Sequence, residues 1–245
     1  GHRRAAEALA EIAGEALRWA GGEAARGTDV RETALQHRAR DAIERAGLET
    51  DHPPIVAFQE NAANPHYEPR EGSDRGLRAG EVLLIDLWAR PTGSAVYADQ
   101  TWIACAGNSP QAEVLKVWRA VRDAREAAVE TLRRRWGRGN GEGKVVTGAE
   151  LDDAARGVIQ RAGYGEYFVH RTGHSIDREL HGSGPHLDNF ETADERALVA
   201  GVGFSVEPGI YLPGRFGMRS EINVYLDDGG PEVTPRAPQS ELLLV

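Results

Sequence analysis

The chain has 245 residues, a formal net charge of −9 and a hydrophobic content of 40%. Such a length can bury a substantial core, and the acidic balance argues against a general nucleic-acid binder, because phosphate contacts need clustered Lys and Arg. No apolar run approaches the roughly 18–20 residues that cross a bilayer, so no membrane partner is expected. The single cysteine, Cys105, cannot form an internal disulfide and fits a reducing compartment, which makes the cytoplasm the expected location.

The first half of the chain predicts two helices followed by two strands. An Ala-rich segment with apolar residues at helical spacing predicts a helix over about 4–19. A second helix is expected over 28–46, with Thr28 as its N-cap. The stretches LLIDLW and VYADQTWIA, which contain Asp86 and Asp99, are rich in β-branched and aromatic residues and predict buried strands.

The second half repeats this arrangement after a connecting helix. That helix is expected over about 109–136 and is followed by the glycine-rich segment 137–144. The Gly-Lys pair in this segment lacks the Ser or Thr of a phosphate-binding loop, so we interpret the segment as a flexible connection. Two further strands are predicted in FSVEPGIYL and RSEINVYL, which contain Glu207 and Glu221.

The four acids are spaced almost equally in the two halves, by 13 positions in the first pair and 14 in the second. The helix endings IERAGL and IQRAGY also recur, 116 positions apart. Together these spacings suggest an internal duplication within one domain. We expect a single domain over 1–245, with pseudo-repeats over about 4–107 and 140–245 joined by the helix over about 109–136.

Four ionised acids in buried strands require positive charge among them, because an unpaired buried carboxylate is costly. Arg219 lies two residues before Glu221 and would steady it from the same strand face, but one guanidinium cannot neutralise four acids. Divalent metal is the better partner, since oxygen-rich sets with a histidine suit such ions and carboxylates can bridge two of them. A histidine ligand should lie near these acids, and the candidates are His66, His170, His174 and His181.

Five ordered motifs resemble the catalytic domain of the pita-bread metallopeptidases (M24), the family of methionine aminopeptidase, aminopeptidase P and prolidase. They lie between about His66 and Leu226: NAANPHY, LIDLW with YADQTW, HRTGHSI with ELH, SVEPGIY and RSEINV. The resemblance implies an α+β fold of the pita-bread (creatinase/aminopeptidase) type. In that fold, two pseudo-symmetric α/β halves share a curved, mainly antiparallel sheet covered by helices.

The resemblance also implies a site for two divalent metal ions. Asp86 would chelate one ion, Asp99 and Glu221 would bridge the two, and His174 and Glu207 would complete the second. Mn²⁺ is the favoured metal, with Co²⁺, Zn²⁺ and Fe²⁺ as alternatives. A water or hydroxide held between the ions would be the nucleophile.

Four residues are expected to act in catalysis by the same resemblance. Glu207 would take the proton of the water and pass it towards the leaving nitrogen. His181 and His66 resemble histidines that donate hydrogen bonds to the substrate and to the oxyanion. His170 resembles a further histidine at the edge of the active site.

The motifs YADQTW, HRTGHSI and VEPGIYLPGRFGMRSE are closer to the proline-directed branch of the family. The expected enzyme is therefore a metal-dependent aminopeptidase or dipeptidase that cleaves the Xaa-Pro bond at the N-terminus of peptides or in dipeptides. Its partner would be a peptide with proline at the second position, and a homodimer is compatible with the resemblance. The N-terminal domain usual in that branch is not expected within these residues.

Two alternatives stay open, because the chain has the size of a methionine aminopeptidase and because the sequence departs from the family pattern at the substrate end of the site. Asp177 and the segment 182–185 replace residues that are usually a glycine and an acid with proline. A methionine aminopeptidase-like enzyme is one alternative. A non-peptidase hydrolase or lyase that acts on a small molecule with the same fold is the other.

Overall fold

Helices and strands follow each other in the predicted order along the computed structural model, which describes residues 1–93, 95–136 and 146–245. The glycine-rich segment and the start of the second predicted repeat lie outside the described residues, so the division into repeats stays a prediction. Over the described ranges, no helix combines the length and apolar character needed to cross a bilayer. The helices are α1 (His2–Ala25), α2 (Glu32–Arg45), α3 (Ala112–Trp136) and α4 (Gly148–Arg161).

The strands are β1 (Leu48–Glu49), β2 (Ile55–Phe58), β3 (Val82–Pro91), β4 (Ala98–Cys105), β5 (Gly203–Val206), β6 (Gly209–Leu212), β7 (Phe216–Arg219), β8 (Ile222–Asp227), β9 (Gly230–Thr234) and β10 (Leu243–Leu244). The first sheet has the order β1-β3-β4-β10, with β2 also paired to β3. The order β5-β8-β9 forms a second sheet, and β6 pairs with β7. Among the described strands only β10 runs parallel to its neighbour, so the architecture is mainly antiparallel as predicted.

Alternation along β3 and β4 points the two first-half acids towards the second half of the chain. On β3, Leu83 and Ile85 pack into the core beneath α1 and α2. Leu84, on the opposite face, packs into the other core, together with α3 and α4. Because side chains alternate across a strand, Asp86 lies on the same face as Leu84. Asp99 shares a face of β4 with Ile103, which belongs to that same second core.

The two acids of the second half lie between strands, where continuous strand was predicted. Glu207 falls between β5 and β6, and Glu221 falls between β7 and β8. The register of the flanking ladders places the two acids opposite each other in this gap. Their backbone amides bond residues outside the flanking ladders: Glu207 N–H donates to the carbonyl of Thr172 at 2.7 Å, and Glu221 N–H donates to the carbonyl of Thr101 at 3.3 Å.

The second half of the chain also hydrogen-bonds the outer edge of β4. The side-chain amide of Asn223 accepts from Asp99 N–H at 2.9 Å and donates to its carbonyl at 2.8 Å. The amide of Gln239 does the same for Ile103, at 3.0 and 2.6 Å. Between them, Glu221 N–H bonds the carbonyl of Thr101, and β10 pairs with the end of this edge at Ala104 and Cys105.

Helix boundaries depart from the prediction at α1, which ends at Ala25 and not near residue 19, and at α2, which begins at Glu32. Thr28 is not its N-cap, because the Thr28 hydroxyl instead donates to Glu23 at 2.9 Å. The predicted ends of α2 and α4 are accurate: Gly47 and Gly163 follow the caps of these helices with φ of 68° and 89°. Glycine takes this left-handed conformation without steric cost, which is why it commonly ends a helix.

Candidate metal centre

Three predicted ligands meet where the two halves join. Asp99 comes from β4, Glu221 from the gap before β8, and His174 from the loop after α4. One ligand atom from each of these buried residues lies within 4.8 Å of the other two. The imidazole Nε2 of His174 is 3.4 Å from Asp99 Oδ2. Such a set of two carboxylates and one imidazole suits a divalent transition metal.

Asp86 joins this cluster through Arg219, with which it forms a buried ion pair. Arg219 Nε donates to the hydroxyl of Thr101 at 3.0 Å, and this hydroxyl donates to Glu221 Oε2 at 2.8 Å. Arg219 Nη1 also donates to the hydroxyl of Tyr211 at 3.1 Å. Arg219 therefore binds Asp86 directly and reaches Glu221 only through Thr101, whereas the sequence predicted direct support of Glu221.

Glu207 is the most accessible of the five predicted ligands, with 15% of its side chain exposed. Its Oε1 accepts from the Ser205 hydroxyl at 2.9 Å and lies 3.4 Å from His174 Nε2. Burial alone would raise the pKa of Glu207, but the charges of His174 and Arg219 outweigh it and lower this pKa below its usual value. Glu207 is therefore ionised at neutral pH.

Three buried carboxylate oxygens in this network have no hydrogen-bond partner in the part of the chain that the structure describes: Asp86 Oδ1, Asp99 Oδ1 and Glu221 Oε1. A buried polar atom without a partner is rare and costly. A cation is the partner that satisfies several acceptors at once, so the donor set fits bound divalent metal.

In the absence of metal, the raised pKa values of three side chains in the cluster favour bound protons. Burial, together with the charges of Asp99 and Glu207, raises the pKa of Asp86 to about 7 despite Arg219. Burial and the charge of Asp99 also raise the pKa of Glu221 well above its usual value. Burial would lower the pKa of His174, but its hydrogen bond to Asp99 and the charge of Glu207 raise it to about 9.

The other predicted histidines differ in how close they lie to this cluster. The exposed His181 packs its ring edge-on against His174, with centroids 4.3 Å apart. His66 lies on an exposed turn, where its backbone N–H donates to Asn64 Oδ1. Among residues 1–93, 95–136 and 146–245, no hydrogen bond or ion pair joins the His66 imidazole to the cluster.

His170 contacts the cluster through Tyr211. Its Nδ1 is 2.7 Å from the carbonyl of Arg171, which can only accept, so Nδ1 carries the proton. The Nε2 atom therefore accepts from the Tyr211 hydroxyl at 2.8 Å. Burial lowers the pKa of His170, which favours this neutral form. Tyr211 thus links His170 to Arg219.

The sequence reasoning missed the polar residues that hold the ligands. Thr101 lies two residues after Asp99, and Ser205 lies two residues before Glu207. Residues two apart in a strand share a face, so this spacing was an available signal. Tyr211, assigned no role, joins two site residues, and no simple spacing rule identifies it.

The chain belongs to metallopeptidase family M24, whose family model matches residues 2–228. An Xaa-Pro dipeptidase from Lactobacillus delbrueckii subsp. lactis is 32% identical over 204 residues, which are 83% of this chain and 50% of the relative. The chain thus spans about half the length of the curated relatives it matches.

Solved structures agree with this assignment. An X-Pro aminopeptidase from Thermotoga maritima MSB8 superposes with a TM-score of 0.83 and 31% identity, covering 99% of this chain and 61% of that one. Dipeptidase PepE from Mycobacterium ulcerans superposes with a TM-score of 0.82 and 31% identity, and the match covers 99% of this chain and 58% of that one. The fold is the pita-bread fold that the motifs predicted.

Proposed function

We propose that the chain is the catalytic part of a metal-dependent exopeptidase that hydrolyses Xaa-Pro bonds, at the N-terminus of peptides or in dipeptides. The observation that carries this proposal is the buried network near His174, in which three carboxylates each keep an oxygen that no described residue hydrogen-bonds. Family membership supports peptide hydrolysis, and relatives named Xaa-Pro dipeptidase and X-Pro aminopeptidase support proline at the second position.

The proposed metal ligands are the five residues predicted from the motifs: Asp86, Asp99, His174, Glu207 and Glu221. Four carboxylates and an imidazole offer more donor atoms than one small divalent ion takes, which favours two ions. Mn²⁺ is the proposed metal, with Co²⁺, Zn²⁺ or Fe²⁺ as alternatives. Bound ions would supply Lewis acidity, which lowers the pKa of the attacking water and polarises the scissile carbonyl.

The side chains around the ligands supply proton transfer and hydrogen bonds. Glu207, ionised through its lowered pKa, is the proposed acceptor of the water proton and its donor to the leaving proline nitrogen. His181, beside His174, is proposed to donate to the carbonyl oxygen as it gains charge. His66 is assigned a similar contact from the motif alone, and His170 is assigned to the edge of the site.

We also propose a cytoplasmic location and a homodimeric assembly. The location is supported by Cys105, a buried free thiol and the sole cysteine of the sequence. The dimer rests on the family resemblance alone. Size-exclusion chromatography with light scattering at several protein concentrations tests the assembly directly.

A peptide panel on the purified chain tests the activity. The chain is prepared without added metal, its metal content is measured, and it is assayed with Mn²⁺ or Co²⁺ against an Xaa-Pro dipeptide, an Xaa-Pro tripeptide and their Xaa-Ala counterparts. We expect cleavage of the proline substrates only, and abolition by a chelator. The dipeptide-to-tripeptide ratio distinguishes dipeptidase from aminopeptidase.

Two results would overturn the proposal. Cleavage of a Met-Ala peptide without cleavage of Xaa-Pro peptides would assign the chain to the methionine aminopeptidase branch. Failure to cut any peptide while binding stoichiometric metal would favour a small-molecule hydrolase or lyase on the same fold.

A further inference from the structure

Asp152, on α4, is a fully buried carboxylate outside the metal centre. Its Oδ1 accepts two hydrogen bonds from Thr172, from the backbone N–H at 2.9 Å and from the hydroxyl at 2.6 Å. Its Oδ2 accepts from Asn189 N–H at 3.1 Å. Hydrogen bonds to an ionised acceptor are stronger than neutral ones. Asp152 therefore fixes two separate loops to one helix.

Thr172 passes this constraint on to the metal centre. Its carbonyl accepts the N–H of Glu207 at 2.7 Å, and His174 lies two residues further along the chain. Gly173, between them, packs so closely that a Cβ there would lie 2.0 Å from the carbonyl oxygen of Ser205. A single buried segment thus sets the spacing between His174 and Glu207.

Arg156 extends the same constraint to His170. Its guanidinium pairs with both oxygens of Asp152 at 3.1 Å, and it donates to the carbonyls of Phe168 at 3.0 Å and His170 at 2.8 Å. The group lies 4.2 Å from the ring centroid of Phe168 and 4.5 Å from that of Phe190. Only a planar fork of donors can make these contacts together, so lysine is not an equivalent.

We propose that Asp152 and Arg156 form a positioning pair for the metal centre. The pair sets the loop that carries His170 and His174 and, through Thr172, the backbone of Glu207. Neither residue touches substrate or metal in this assignment. Their effect on turnover rests on the proposed function, whereas their effect on loop order and metal affinity does not.

The helix itself provides a matched control. Asp153 is the neighbouring acid on α4; it is exposed and, within the described ranges, accepts only from the Asn189 side-chain amide at 2.8 Å. Asp152→Asn and Asp153→Asn therefore make the same chemical change one position apart. Thr172→Val and Thr172→Ser form a second pair, because only the serine keeps the hydroxyl that bonds Asp152.

The test uses three measurements on the full chain. Hydrogen–deuterium exchange of the metal-free protein reports the order of peptides over 168–174 and around Glu207. Titration with Co²⁺ alone, followed by its visible absorption, reports affinity and ligand geometry. Assay of an Xaa-Pro peptide separates kcat from KM.

For Asp152→Asn, Arg156→Lys and Thr172→Val we expect faster exchange confined to those peptides and an altered Co²⁺ spectrum. Outer partners of metal ligands typically contribute 10- to 100-fold, so we expect Co²⁺ affinity or kcat to fall by about that factor, with KM within about twofold. Asp153→Asn and Thr172→Ser should retain most of the wild-type exchange, spectrum and turnover.

The positioning role is overturned if folded Asp152→Asn matches Asp153→Asn in exchange, Co²⁺ spectrum and kcat. Should Asp152→Asn fail to fold, the Thr172 pair decides: equal behaviour of the valine and serine variants overturns the role. A wild-type chain that binds Co²⁺ but cuts no Xaa-Pro peptide would refute the proposed function alone, since exchange and the spectrum still report on the pair.

Discussion

Three polar residues that lie two positions from a proposed ligand hold the carboxylates of the site. Thr101, two residues after Asp99, donates to Glu221; Ser205 donates to Glu207; and Arg219, two residues before Glu221, pairs with Asp86. In an extended chain a spacing of two places each of these residues on the same side as the neighbouring acid. The hydroxyl groups can donate to a carboxylate without adding charge, and the single arginine compensates Asp86.

Substitution at Asp99 and at His181 should separate metal binding from turnover. Asp99→Ala removes a carboxylate that has an oxygen within 4.8 Å of ligand atoms of both His174 and Glu221, so we expect loss of stoichiometric metal together with activity. His181→Ala should keep the metal and lower kcat by about 100-fold or more, because it removes a proposed donor to the oxyanion.

Elemental analysis and steady-state kinetics on the same preparations check this prediction. His37→Ala, at an exposed position on α2, is the matched control and should change neither quantity. Normal metal content in Asp99→Ala would refute the two-ion arrangement, and normal turnover in His181→Ala would remove that histidine from the mechanism.

The metal-free protein should lose stability as the pH rises from about 6.5 to about 9. The folded-state pKa values of Asp86, about 7, and His174, about 9, both lie above their usual values. Protons on these groups therefore favour the folded state; this contribution is complete below the unfolded pKa and is lost as the pH passes through the folded one. Groups with lowered pKa values, among them Glu207 and the histidines His170 and His181, have the opposite effect, but only below their usual pKa values of 4.5 and 6.5.

Thermal unfolding in a chelator at several pH values measures this loss. We expect a fall in Tm on the order of 5 °C or more across the range. Asp86→Asn should flatten the lower part of the curve, and added Mn²⁺ should weaken the dependence because metal replaces the protons. A Tm that rises over this range in the chelated wild type would contradict the prediction.

At the scale of elements, close backbone approach fixes the loop that carries His174. Gly173 leaves no room for a Cβ beside Ser205, whose N–H donates to the carbonyl of His174 at 2.8 Å. Gly173→Ala should therefore displace the loop, lower stability by about 1–3 kcal/mol and weaken metal binding. Calorimetry and a Co²⁺ titration measure the two effects.

Gly22→Ala is the control for this substitution. Gly22 lies within α1, and the nearest atoms to an added Cβ are guanidinium nitrogens of Arg26 at 3.8 and 3.9 Å. Since alanine is the better helix former by about 1 kcal/mol, this variant should be as stable as the wild type or more so. Equal stability of the two variants would show that Gly173 is not sterically required.

The sequence predicted elements whose signals are local. Gly47 and Gly163 mark helix ends because their left-handed conformation is a property of the residue itself. The prediction of Thr28 as the N-cap of α2 was wrong because capping depends on tertiary context. Arg31 forms a β-bridge to Gly76, and the helix starts only after that bridge. The break at Glu207 had a signal in the following Pro208, which has no N–H for a strand ladder.

The motifs could place the predicted ligands in one network because motifs carry long-range information that local periodicity does not. Asp86 and Asp99 were placed on strands correctly, and the face they share with the second core follows from alternation. Neither propensity nor spacing could place Asp152 beneath Thr172 or pair Asn223 with Asp99. Such contacts depend on how two distant segments meet, and a side-chain hydrogen bond leaves no periodic trace in the sequence.

At the scale of the whole molecule, the metal centre lies at the seam between the two halves. Asp86 and Asp99 come from the first sheet, whereas the other three proposed ligands follow α4. The seam is also joined by side-chain amides, since Asn223 and Gln239 satisfy the outer edge of β4. The two halves therefore depend on each other both for bound metal and for backbone hydrogen bonds.

Metal should accordingly stabilise the chain as one cooperative unit. Ions at about 100 times their Kd would add about 2.7 kcal/mol, and for a chain of this size that corresponds to a rise in Tm on the order of 5–10 °C. Calorimetry should show a single transition whose Tm is higher with Mn²⁺ than with a chelator. In Asp99→Ala the Tm should be the same in both conditions. Gln239→Ala leaves Ile103 without its partners and should lower Tm in both conditions while keeping the metal-dependent shift, because Gln239 is not a proposed ligand. Two separate transitions, only one of them sensitive to Mn²⁺, would mean that the halves unfold independently and that the seam does not couple them.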